Sequence, residues 1–182
     1  MRTRRAADGD RPFIVEMSRL ASVIEDRPLP PSDSEEVTDK LPGPDDCAVV
    51  AVDDHDHPVG AAWWFFHYPP LLTASDGSAL PELIVAVVDS ARGHGIGTML
   101  IEALAAEAAA RYTDISLNVH LRNPAARLYT RTGFRVAGKG VVGSESPWSG
   151  TCVRSDASAL SPEQPGLTRS RVQHLTERGG SR

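Results

Sequence analysis

Apolar positions recur first at helical spacing. Phe13, Met17, Leu20 and Ile24 fall at intervals of four, three and four, which predicts one amphipathic helix over 11–24. Pro28, Pro30 and Pro31 stop it. The stretch 32–41 (SDSEEVTDKL) opens on a capping serine followed by acids and predicts a second short helix, closed by Pro42-Gly43-Pro44. The pattern then changes. Segments 47–52 (CAVVAV) and 59–67 (VGAAWWFFH) flank the polar turn 53–58 and predict a β-hairpin. After a loop rich in Pro, Ser, Asp and Gly at 68–81, the continuous apolar run Leu83–Val88 predicts a central strand buried on both faces. A glycine-rich turn, Arg92-Gly93-His94-Gly95-Ile96-Gly97, leads into an alanine-rich helix from about Gly95 to Arg111, with Ile96, Leu100, Leu104 and Ala108 on one stripe.

Beyond that helix Ile115, Leu117, Val119 and Leu121 alternate with Ser116, Asn118 and His120, which predicts a half-buried strand. Strand, helix, strand in that order calls for a right-handed crossover and parallel pairing of this strand with the central one. Asn123 suits an N-cap, Pro124 the first helical position and Gly133 the position after the helix end, framing a short helix over 124–132. Residues 134–137 begin one more strand, and the polar stretch 1–10 has room for one short strand at most. From Lys139 onward only about a quarter of the residues are apolar, and Ser, Gly, Arg and Pro dominate. Such a segment buries too little surface to offset its ordering entropy. The expectation is a largely disordered tail from about Ser155, with at most a frayed helix at Val172–Leu175. Val141–Val142 and Thr151–Val153 are the only strand candidates left in it.

Composition narrows the class without choosing a function. A chain of 182 residues suits one domain with a proper core. A net charge of −5 and a pI near 5.6 give no footprint for nonspecific nucleic-acid binding. Cys47 and Cys152 match no metal or redox spacing. Arg2, Arg4 and Arg5 are followed by no apolar stretch of the kind a secretory signal carries, and no window reaches the ~18 apolar residues of a membrane span. A reducing, cytoplasmic setting is expected, with neither nucleic acid nor membrane as partner; a homodimer is left open. The DDHDH turn at 53–57 alternates Asp and His but has no distant ligand partner, so it reads as a solvated loop and no metal is expected.

Strand, glycine turn, helix is the arrangement that aims free backbone N–H groups at an anion. Two nucleotide-binding readings fail. A P-loop needs a terminal Gly-Lys-(Ser/Thr), and no lysine lies between Lys40 and Lys139. A dinucleotide loop wants Gly-x-Gly-x-x-Gly after the first strand, whereas Gly93, Gly95 and Gly97 alternate and come after several elements. The turn instead matches (Arg/Gln)-x-x-Gly-x-(Gly/Ala), and together with Val85-Ala86-Val87 and Asp89-Ser90 before it resembles the fourth strand and acetyl-CoA loop of the GCN5-related N-acetyltransferases (GNAT). Residues 123–134 resemble the second motif of that family, Asn-x-x-Ala-x-x-Leu-Tyr-x-x-x-Gly-Phe, in the same order. The likeness covers about residues 1–137, most specifically 82–134, while the segment after Ala137 does not look like the closing hairpin of the family.

The resemblance implies an α/β fold: a GNAT-like mixed, twisted sheet of about six strands with helices on both faces. It implies an acetyltransferase domain over 1–138, with its core at 46–138, and an atypical tail at 139–182. Acetyl-CoA is the implied co-substrate and a small-molecule or peptide amine the implied acceptor. Backbone N–H groups of Gly93, His94, Gly95, Ile96, Gly97 and Thr98 would hold the pyrophosphate, with fixed charge from Arg92. Val85, Ala86 and Val87 would line the pantetheine, in a gap where the fourth and fifth strands splay, and a strand N–H near Val87 would polarise the thioester carbonyl. Tyr129 matches the general acid, Asn123 a cofactor contact, and Glu82 at the head of the central strand is the candidate base. Glu82 has the strand parity of Ala86, not of Val87, so the face it serves depends on whether a bulge intervenes. Trp63, Trp64, Phe65 and Phe66 alternate two to a face: one pair for the core, the other under a helix or in an acceptor pocket. A second expectation, from another class, is a degenerate, non-catalytic acyl-CoA-binding or scaffold protein, suggested by the odd C-terminal segment.

Overall fold

A computed structural model of the chain describes residues 1–23, 28–120, 125–139 and 149–155. Its frame is one seven-stranded sheet. The strands are β1 (Arg2–Arg5), β2 (Ala48–Val52), β3 (Pro58–Phe65), β4 (Glu82–Val87), β5 (Asp114–His120), β6 (Arg135–Lys139) and β7 (Ser149–Ser155). They lie in the order β1-β2-β3-β4-β5-β7-β6, one more strand than about six. All neighbours are antiparallel except β4 and β5, whose parallel pairing follows from the crossover through α3 (Ile96–Ala108). The remaining helices are α1 (Arg11–Ser22), α2 (Glu35–Thr38) and α4 (Ala126–Arg131).

Period-two alternation divides the strand side chains between two apolar layers. On one face Val49, Ala62, Trp64, Leu83, Ile115, Leu117 and Val119 pack against the α3 stripe of Ile96, Leu100, Leu104 and Ala108, all buried. On the other, Val50, Val52, Ala61, Trp63 and Ala86 pack against Ile14 and Met17 of α1. The inward face of α1 therefore centres on Ile14 and Met17. Phe13 and Leu20 only flank it, and Ile24 lies outside the described residues. The aromatic strand is likewise more buried than alternation alone suggests: Trp63, Trp64 and Phe65 all belong to the interior, while Phe66, just past the end of β3, is 43% exposed. Trp63 buries its indole by donating Nε1–H to the Lys40 carbonyl at 2.7 Å.

One local feature was not anticipated. Arg4 on β1 makes a bidentate pair with Asp10 at 2.6 and 2.9 Å, pinning the polar N-terminal strand to the start of α1. The segment after Ala137, which does not look like the closing hairpin of the family, still adds a strand: β7, which contains the candidate Thr151–Val153, pairs antiparallel with β5 from Ser149 to Ser155 and with β6 from Gly150 to Val153. The sheet thus continues past 138 to 155. Val141–Val142 and Val172–Leu175, with the rest of the tail after 155, lie outside the described residues.

Candidate active site

The one parallel junction of the sheet is also its weakest. β4 and β5 share a single register pair, Glu82 with Ser116, secured by Ser116 N–H and Ser116 Oγ on the Pro81 carbonyl at 2.9 and 3.0 Å. Beyond that rung β4 keeps β3 as its partner from Glu82 to Val87, and β5 keeps β7. The strands fork. Val88 N–H donates to Val59 O, so the antiparallel alternation turns the N–H and C=O groups of Val85 and Val87 away from β3, into the fork. Ala86 has the opposite parity: its backbone serves the β3 ladder and its side chain packs on the α1 face.

Glu82 sits at the closed end of this fork. No register shift interrupts β3 and β4 there, so no bulge intervenes and its side chain shares the face of Ile84 and Ala86, the face covered by α1. Only 9% of the residue is exposed, and its Oε2 has no hydrogen-bond partner among the described residues. Burial raises the carboxyl from the ordinary 4.5 to about 7, against a smaller downward pull from His67, Lys40 and the Asn118 backbone N–H. A carboxyl titrating there is divided between its two forms near neutral pH, which is what a general base requires. His67 stands edge-on to Phe65, the register partner of Glu82, and its Nδ1–H is directed at the Pro69 carbonyl at 2.8 Å. Lys40 Nζ rests on Ser22 Oγ at 3.4 Å.

At the open end β4 passes through a short turn into the glycine loop. Gly93 and Gly95 adopt φ of 81° and 79°, a left-handed backbone that a side chain would strain, and no atom lies within 4 Å of where a Cβ would stand. Gly97 has another duty, since a Cβ there would meet Leu128 Cδ2 at 2.9 Å; its absence lets α4 close against the start of α3. Gly95 caps α3 with no side-chain hydrogen bond, and the first helical bond runs from Met99 N–H to Gly95 O. The N–H groups of Ile96, Gly97 and Thr98 thus precede the helical ladder, at the positive end of the helix dipole. His94 is exposed and turns Nδ1 to the Ala91 carbonyl. Arg92 folds back, donating Nε–H to Val87 O at 3.2 Å and pairing with Asp89 at 3.0 Å. Its charge therefore stands at the mouth of the fork, beside the Val87 peptide.

Tyr129 lies on α4, half-buried against the α3-face core and edge-on to Phe134, with ring centroids 6.0 Å apart. Asn123 and Pro124 lie outside the described residues. Glycines held open, an uncapped helix start and an unladdered strand edge suit an elongated phosphorylated ligand carrying amide groups, so the residues fit acetyl-CoA.

The sequence model of the acetyltransferase (GNAT) domain matches residues 44–136. The chain belongs to the GNAT family. It is an acyltransferase of that family, and its sheet, forked at β4 and β5, is the GNAT fold. No curated protein matches the sequence. Among solved structures, a ribosomal-protein-alanine N-acetyltransferase from Brucella melitensis superposes with a TM-score of 0.61 at 22% identity, over 85% of this chain and 99% of that one. A phosphinothricin acetyltransferase from Sinorhizobium meliloti, solved in complex with AcCoA, gives 0.60 at 19% identity, over 90% and 93%. A protein from Corynebacterium glutamicum described as histone acetyltransferase HPA2 and related acetyltransferase gives 0.58 at 24%, over 91% and 98%.

Two neighbours of Glu82 in this GNAT site were missed in the sequence, His67 and Lys40. A signal existed for the first: in a β3–β4 pairing that sets Phe65 opposite Glu82, the residue two beyond Phe65 falls on the same face. Lys40 is brought in by the connection between α2 and β2, for which no periodic pattern exists. Among the described residues no group of three or more His, Cys, Asp or Glu is placed to hold a metal ion. In the DDHDH turn Asp53 accepts the N–H groups of His55 and His57 at 2.8 and 2.9 Å.

Proposed function

We propose that this chain transfers the acetyl group of acetyl-CoA to an amine by direct attack, with Glu82 as general base and Tyr129 as general acid. The observation that carries the reading is Glu82 itself: a buried carboxyl with one oxygen unpartnered among the described residues, at the closed end of the fork between β4 and β5. Acetyl-CoA supplies an activated acetyl thioester, in which the C–S bond gives way as the C–N bond forms. The chain supplies position and proton transfer. The N–H groups of Ile96, Gly97 and Thr98, approached over Gly93, His94 and Gly95, hold the pyrophosphate, with Arg92 adding charge beside them. Val85 and Val87 present backbone groups to the amide-bearing arm, and the Val87 N–H stands where a carbonyl oxygen gains negative charge. Asn123 is proposed as a further cofactor contact.

The acceptor must lose a proton before it attacks. An alkylamine of pKa ~10.4 pays ~4–5 kcal/mol for that at neutral pH. Glu82 Oε2 takes the proton, and the Tyr129 hydroxyl gives one to the departing sulfur. Acetyl-CoA presented with a panel of small and peptide amines, with CoA release and product mass both read, tests the proposal. Acetylated amine with matching CoA is the expected result; acetyl-CoA binding with no turnover on any amine would overturn it. A cytoplasmic location belongs to the same proposal, and cell fractionation checks it. No observation favours the degenerate scaffold reading, because the segment that suggested it contributes β7 to the sheet.

A further inference from the structure

The surroundings of Glu82 carry a charge asymmetry. Among the described residues the charged side chains acting on the carboxylate are His67 and Lys40, and both favour its anionic form. Lys40 is fixed from two sides. Its carbonyl accepts the Trp63 indole N–H at 2.7 Å, and its Nζ reaches Ser22 Oγ at the end of α1 at 3.4 Å. Trp63, Phe65 and Glu82 all project to the α1 face, and Trp63 pairs with Ile84, one step along that face from Glu82. Lys40 is thus held on the α1 side of the sheet, the side to which Glu82 projects, half-buried and without a carboxylate partner among the described residues. His67 lies just past the end of β3, held by Pro69 O and by the ring of Phe65, the register partner of Glu82.

When Glu82 takes the acceptor's proton it becomes neutral, and the Lys40 cation is left uncompensated. A neutral amine does nothing for that charge, and a second ammonium on the acceptor is repelled by it. A carboxylate on the acceptor compensates it. We propose that Lys40, with His67 beside it, makes this site selective for amines that carry a carboxylate, the amine addressed to Glu82 and the carboxylate to the Lys40 ammonium. Lys40 is in this reading a specificity-determining residue, and the inference rests on the acetyl-transfer function proposed above.

The test compares kcat/KM for a series of ω-amino carboxylates of increasing length with the matching carboxamides and diamines, whose amines are similarly basic. For at least one length the carboxylate should exceed its carboxamide about fivefold, and the diamine should be the poorest, the scale of one partly screened charge contact. In Lys40→Met the carboxylate-to-carboxamide ratio should fall toward one, and Lys40→Arg should restore it; a merely structural lysine would lower both rates and leave their ratio unmoved. His67→Gln should lower the same ratio by a smaller factor and serves if Lys40→Met fails to fold. Calorimetric titration with propionate, which has no amine, gives a readout independent of turnover: binding to the wild type, weaker in Lys40→Met. Amines acetylated with carboxylates no better than carboxamides at any length would overturn this inference alone. If no amine is acetylated at all, the acetyl-transfer reading falls and the inference with it.

Discussion

Replacing Glu82 by glutamine tests burial and catalysis together. The folded protein raises this carboxyl from 4.5 to about 7, and a tenfold change in proton affinity is worth about 1.4 kcal/mol. Ionised Glu82 therefore costs the fold ~3 kcal/mol relative to the unfolded chain. The sign follows from the proton count: between 4.5 and about 7 the folded state keeps a proton that the unfolded state has released, so stability falls as pH rises through that window. Below it the cost is absent, and above it the cost is complete. Glutamine carries no charge at any pH and escapes the whole effect, less whatever its NH2 group loses by lacking an acceptor. The stability advantage of Glu82→Gln over wild type should thus be smallest near pH 4.5 and widen by ~3 kcal/mol by about pH 8, a divergence of roughly 6–12 °C in Tm for a chain of this size. Thermal unfolding of both proteins across that range measures it. In parallel, the kcat/KM of the wild type should fall on the acid side with an apparent pKa of about 7, and Glu82→Gln should lose ~10²–10⁴-fold in rate together with that limb. A Tm gap that stays constant with pH would refute the desolvated carboxyl. An acid limb surviving in Glu82→Gln would assign the base to another group.

Three further perturbations probe other parts of the argument. Tyr129→Phe keeps the ring edge-on to Phe134, so steady-state kinetics should show kcat down by ~10²-fold or more while acetyl-CoA affinity, measured by calorimetry, barely moves; an unchanged kcat would remove Tyr129 from the mechanism. Gly95→Ala places a side chain at φ 79° in otherwise open space, so urea unfolding should show a loss of ~1–2 kcal/mol from backbone strain, with weaker acetyl-CoA binding as the helix start relaxes. Asp10 is held below the usual carboxylate range chiefly by its hydrogen bonds from Arg4. The stability it adds is present above 3.8 and is lost as pH falls through its lower folded value. Asp10→Asn should cost ~1–2 kcal/mol at neutral pH, discounted for the partly exposed Arg4, and the gap should close toward about pH 2 in urea titrations.

What was legible in the sequence was whatever is periodic or locally punctuated. The α3 stripe, the alternation of β5 and the doubly buried β4 are repeated patterns, and each reappears in the structure where the pattern placed it. Gly93 and Gly95 were readable because a left-handed turn leaves glycine little competition. β7 was nearly invisible: its polar, small residues carry little apolar signal, and it gains its place through backbone bonds to a strand on each side, which any sequence can make. The face of α1 slipped by a residue because Phe13 and Ile14 are both apolar, and only packing against Ala61, Trp63 and Ala86 decides between them. Lys40 was beyond reach for a related reason, since tertiary packing alone brings it near Glu82, whereas His67 could have been found from the β3–β4 register.

The fork between β4 and β5 resolves the parity problem that Glu82 posed. With no bulge in β4, its side chain is committed to the α1 face, while Tyr129 packs on the α3 face. An intact parallel ladder would separate an acid and a base so placed by a continuous wall of hydrogen-bonded backbone. A ladder of one rung does not. In the proposed reaction this open edge, into which the Val85 and Val87 peptides turn, is where an amine from the α1 side and a thioester from the α3 side would meet. The parallel pattern set by Ser116 N–H on Pro81 O would next place Asn118 N–H on Leu83 O; that rung is not formed, and the Asn118 N–H is instead among the groups that favour the Glu82 carboxylate. Under the proposed mechanism Glu82→Gln, which keeps a side-chain carbonyl at the closed end of the fork, should preserve the fork while removing the base, whereas Glu82→Ala, which leaves a void there, should weaken acetyl-CoA binding as well as turnover.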